Sequence, residues 1–113
     1  MKDHYLQLFT YENWATQKII SILQECQEAD ALVMFQHILL ARELWFNRVA
    51  NQNNPYIFEE KSLRECVESY TRNHHEWMNF IETIEDFERI VVYKNLKGDA
   101  FSYKLNNILT HVV

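Results

Sequence analysis

The sequence predicts an all-α domain: a four-helix bundle with a short β-hairpin between helices 3 and 4 and with the fourth helix truncated. Three observations predict it. Apolar residues recur at steps of three and four over three long stretches, the spacing that lines one face of an α-helix. A single glycine, Gly98, and a single proline, Pro55, in 113 residues are what long helices leave over. A hydrophobic share of 48% with 14% aromatics is enough for one buried core, so residues 1–113 are read as one domain.

The first helix is expected from about Asp3 to Glu28, with Leu8, Tyr11, Ala15, Ile19, Ile22 and Cys26 on its core-facing stripe. Asp30 offers an N-cap for a second helix that runs to about Asn51. Its stripe is Val33, His37, Leu40 and Leu44, with Phe35, Leu39, Phe46 and Val49 close by. Asn51-Gln52-Asn53-Asn54-Pro55 is a loop by composition, because Asn and Pro favour turns and the residue before proline avoids helical φ/ψ. Ser62-Leu63-Arg64-Glu65 fits a capping box. The helix it opens carries Leu63, Val67, Tyr70, His74, Trp77, Ile81 and Ile84, a heptad seam that ends at Glu85-Asp86. Ile90–Tyr93 and Ala100–Tyr103 flank a turn containing Gly98 and read as a β-hairpin. Leu105, Ile108, Leu109 and Val112 then open a fourth helix of about 15 Å, less than half the length of the third. It leaves part of the other three uncovered, so either the chain is a fragment or a second subunit fills the groove.

Composition excludes several functions. Walker loops, dinucleotide fingerprints and nucleophile elbows each need two or more glycines at fixed spacing. The formal net charge of −5 and the lack of a basic stripe argue against nucleic acid as a partner. No apolar run reaches the roughly 18 residues of a membrane span, and Met1-Lys2-Asp3-His4 opens no signal sequence, so a cytoplasmic location is expected. Cys26 and Cys66 are too few for a disulfide scaffold and too far apart for a CxxC pair, and both are expected to be buried hydrophobes.

Histidine is the informative residue type. His37, His74 and His111 fall on core-facing stripes of three different helices, and imidazoles converging inside a bundle are how such folds hold a metal ion. Three ligands with an open fourth position would lower the pKa of a bound water or thiol. A core histidine hydrogen-bonded to a carbonyl is the commoner use of such positions. His4 and His75 lie off the seams. Glu43, Glu59, Glu60, Glu65 and Glu68 sit among polar positions, and Tyr11, Trp14, Trp45, Phe46 and Trp77 read as core.

Tyr11-Glu12-Asn13-Trp14-Ala15-Thr16 with Ile19-Ile20, Gln36-His37-Ile38-Leu39-Leu40-Ala41-Arg42-Glu43-Leu44-Trp45, Tyr93 through Gly98, and Leu105 through Val113 follow one another in the order and spacing of a known pattern. The chain resembles the DinB-like family of small bacterial metal-binding helical-bundle proteins over nearly its whole length. The resemblance implies a four-helix bundle, commonly a homodimer, with a divalent Zn, Ni, Mn or Fe ion held by three histidines. His37 matches the ligand of the second helix, and His111 matches the first histidine of the last helix's motif. The later part of that motif, which usually supplies two ligands four residues apart, lies past Val113. The implied chemistry is metal-dependent transfer to a small-molecule thiol or hydrolysis. A metal-free helical dimerisation or interaction module is the alternative, because a bundle face left bare is unfavourable on a monomer.

Overall fold

The structure is a computed structural model that describes residues 1–26, 28–52 and 59–113. Its elements are α1 (Lys2–Cys26), α2 (Ala29–Val49), α3 (Leu63–Thr83), β1 (Ile90–Lys94), β2 (Ala100–Lys104) and α4 (Leu105–Val112). Among the described residues the chain is mostly helical, with four helices and one two-stranded antiparallel sheet, as the sequence predicts. Asn53, Asn54 and Pro55 of the expected loop lie outside the described residues.

Local chemistry accounts for the ends. The Ser62 hydroxyl accepts from the Glu65 amide at 3.2 Å and the Glu65 carboxylate accepts from the Ser62 amide at 3.2 Å, which completes the capping box. α2 closes on Asn51 in the left-handed region, φ 56°, while the Gln52 amide donates back to the Asn47 carbonyl at 2.8 Å. Asp30 is not the N-cap of α2. That position is Glu28, whose side chain makes no capping bond, and Asp30 instead places its charge in the first turn, at the positive end of the helix dipole. In the hairpin, Gly98 (φ 88°) provides the positive φ and the Asn95 side chain accepts from the amides of Lys97 and Asp99.

α3 packs against both α1 and α2, which approach each other far less closely. α4 packs on α2 beside the hairpin, where the Tyr5 hydroxyl donates to the Asn106 carbonyl and meets Thr110 Oγ1, each at 2.9 Å. Buried side chains form two clusters. One gathers Tyr5, Phe9, Phe46, Val49, Trp77, Ile81, Ile84 and Val91 with Leu105, Ile108 and Leu109 of α4. The other gathers Ile20, Leu23, Phe35, Leu39, Cys66 and Tyr70 at the opposite end.

The expected stripe of α1 is real but does not face this core. Tyr11, Ile19, Ile22 and Cys26 are exposed, whereas Tyr5, Phe9, Ile20 and Leu23 are buried with Glu12 and Thr16 partly covered between them. Pattern reading favoured the purely apolar seam, and the seam the core uses contains a carboxylate. On α2, Val33 and His37 are exposed, and the buried line is Phe35, Leu39, Arg42, Phe46 and Val49. Trp14 is exposed, not part of the core. The seam of α3 matches the expectation: Tyr70, Trp77, Ile81 and Ile84 are buried, and Leu63, Val67 and His74 are half-buried.

Candidate functional site

Between the two apolar clusters lies a polar layer. The buried seams of the three long helices run Tyr5-Phe9-Glu12, Leu39-Arg42-Phe46 and Tyr70-Asn73-Trp77, and each places one polar residue at the same level. Arg42, 4% exposed, pairs through Nη1 with Glu12 and donates from Nε to Asn73 Oδ1 at 3.2 Å. Its guanidinium lies 5.6 Å from the Phe9 ring and 5.3 Å from the Tyr70 ring, a desolvated cation between two aromatic faces. Arg42 Nη2 and Glu12 Oε2 are buried with no hydrogen-bond partner among the described residues. Burial pushes the Arg42 pKa down, opposed by its interaction with Tyr70.

His74 sits one turn from Tyr70, its ring stacked on the phenol at 6.2 Å and its Nδ1 buried without a partner among the described residues. Burial lowers its pKa first, and the charges of Arg42 and His75 lower it further. A neutral imidazole in that position is a packing residue beside the polar layer. The Tyr70 hydroxyl donates to Asn13 Oδ1 at 3.2 Å, which ties α3 to α1.

Above this layer α1 and α2 leave a groove of about 250 Å³, walled by Ile19, Leu23, Ala31, Met34, Phe35 and Ile38 and reaching Glu12, Arg42 and Tyr70 at its floor. Of the exposed large apolar side chains, Ile19 of α1 and Met34 and Ile38 of α2 line it, while Tyr11, Trp14 and Ile22 are exposed elsewhere on α1. The apolar walls of the groove come from both helices.

The other histidines do not converge. His37 and His111 are both exposed, not core-facing. His111 rests edge-on against Trp45, with ring centroids 5.5 Å apart. His37 lies eight residues before Trp45 on α2, a rise of roughly 12 Å, whereas ligands of one tetrahedral ion sit within a few ångströms of each other. Among the described residues no three His, Cys, Asp or Glu side chains are grouped to hold an ion. Among the described residues His37, His74 and His111 therefore do not build a shared ion site. Cys66 is buried, and its thiol pKa is raised by that burial, but Cys26 is exposed, against expectation. No helix among the described residues is long and apolar enough to cross a membrane.

The polar layer was missed because charged side chains are assigned to solvent by default. A signal was available: Phe35, Leu39, Arg42, Phe46 and Val49 step by four and three, which puts Arg42 on a heptad core position. Comparison with protein-family models, with curated proteins and with solved structures finds no match for this chain.

Proposed function

We propose that this chain is a helical-bundle module of the DinB-like kind that works as an assembled unit, associating with a second copy through its open α1–α2 face. The observation that carries the reading is the exposed apolar seam of α1. Leu8, Tyr11, Ala15, Ile19, Ile22 and Cys26 step by three and four along the helix, and of these Tyr11, Ile19, Ile22 and Cys26 are exposed while Leu8 and Ala15 are half-buried. With Met34 and Ile38 of α2, these exposed side chains present apolar surface to solvent, the kind of surface that marks an interaction site when it is contiguous. A two-helix layer set on its own copy by a two-fold axis would complete a four-helix core. Chemical cross-linking at micromolar concentration, with and without chelator, tests the reading: a dimer that survives chelator supports it, and a chain that never cross-links refutes it.

A second reading, a divalent-metal protein with thiol-transfer or hydrolytic activity, is favoured by the position of His37. His37 is exposed on α2 and precedes in sequence the groove residue Ile38, and the resemblance gives it the role of the second helix's ligand. Elemental analysis of protein purified without chelator tests it. Stoichiometric metal that is lost in His37→Ala supports it, and metal-free protein refutes it.

A further inference from the structure

Away from the open face, the hairpin and α4 build a second cavity, of about 350 Å³, lined by Trp45, Tyr93, Tyr103, Asn107, Ile108 and His111. Tyr93 is perpendicular to Trp45 at 5.2 Å and nearly parallel to Tyr103 at 6.2 Å, so the three rings form a corner with a flat flank. Strand alternation accounts for the arrangement: Val91, Tyr93, Phe101 and Tyr103 share the sheet face that turns toward α2. Ile108, buried at the base, gives an apolar floor, and the Asn107 carboxamide and the His111 imidazole are the polar groups at the rim.

An aromatic corner of this kind can take a quaternary ammonium or a flat ring. The surrounding charge separates the two. The Arg48 guanidinium already lies 4.6 Å from the Trp45 ring and 4.4 Å from the Tyr93 ring, so the negative faces that would attract a second cation are engaged and a cation is repelled. The chain is acidic as a whole, yet among the described residues no carboxylate lines this cavity, and the Arg48 cation against two of its rings favours an anion beside them. A polyhydroxylated sugar would find too few polar groups here. We infer that the cavity between the hairpin and α4 binds a planar aromatic carboxylate of one or two rings, stacked on Tyr103 and Trp45 with its polar edge toward Asn107 and His111.

This inference does not depend on the oligomeric state, because none of the cavity's residues belongs to the open α1–α2 face. Ligand-observed and protein-observed NMR on the full chain, with 2-naphthoate and choline as probes, tests it. The wild type should bind 2-naphthoate with shifts centred on the Trp45 indole and Tyr103, and choline should cause none. Tyr103→Ala, at an exposed position, should weaken 2-naphthoate about tenfold with the helical circular dichroism unchanged, and Asn107→Leu should weaken it independently. Choline binding at the same residues, 2-naphthoate binding that neither variant alters, or no binding at millimolar concentration would each overturn the inference.

Discussion

Replacing Arg42 by methionine removes the guanidinium that joins the three helices at their polar layer, and the structure sets the size of the effect. The Nε bond to Asn73 is charge-assisted, about 1.5–3 kcal/mol by itself, and its loss strands a buried amide oxygen. Glu12 loses its partner as well. Because Glu12 is 21% exposed, part of its carboxylate charge stays solvated, which places the total toward the lower end of the ~3–5 kcal/mol typical of a broken buried pair. Relief of the guanidinium's own desolvation offsets a share of this. Arg42→Met should therefore cost about 3 kcal/mol, equivalent to a drop of roughly 2 M in the urea midpoint for a chain of this size. The double variant Arg42→Met, Glu12→Leu removes both charges and should return to within about 1 kcal/mol of wild type. Urea unfolding followed by far-UV circular dichroism at one fixed protein concentration measures both. A single variant as stable as wild type, or a double variant no better than the single, would refute the placement of Arg42 as a buried, paired cation.

Three further outcomes follow from the same chemistry. Ser62→Ala should cost about 1 kcal/mol through loss of the α3 cap; because the Ser62 amide and hydroxyl hold the Glu65 pKa below its ordinary value, the variant should also raise it, which NMR titration of the carboxyl group reads directly. The folded state holds the His74 pKa below its ordinary 6.5, so His74 contributes stability above that pH and loses it as pH falls from 6.5 toward the depressed value. His74→Gln should flatten this part of the stability profile, and a profile identical to wild type would contradict the assignment. Cys66, buried with a raised thiol pKa, should resist a thiol reagent until the chain unfolds; rapid modification of Cys66 in native protein would count against the packing around it.

The elements were legible where one seam dominates. α3 has a single apolar line and a capping box, and both its start and its buried face follow from sequence. The hairpin follows from β-branched and aromatic strands around Gly98. α1 carries two seams, one wholly apolar and one interrupted by Glu12 and Thr16, and periodicity has no means of choosing between them. What decides is a partner distant in sequence: Arg42, itself held by Asn73, pairs with a half-buried Glu12, and the apolar seam is left facing out. The candidate histidines show the same limit. Helical spacing places His37 and His111 within reach of an apolar stripe, but which side of each helix is covered depends on the neighbours.

The central claim is that the uncovered apolar seam of α1 is an assembly surface, and sedimentation equilibrium of wild type beside the double variant Ile19→Glu, Ile22→Glu tests it most directly. Both positions are exposed, so the variant should keep its helical content. The account predicts wild type at twice the 13.7 kDa chain mass and the variant at the chain mass. A wild-type chain that stays monomeric from micromolar to near-millimolar concentration, or a variant that still sediments as a dimer, would contradict it.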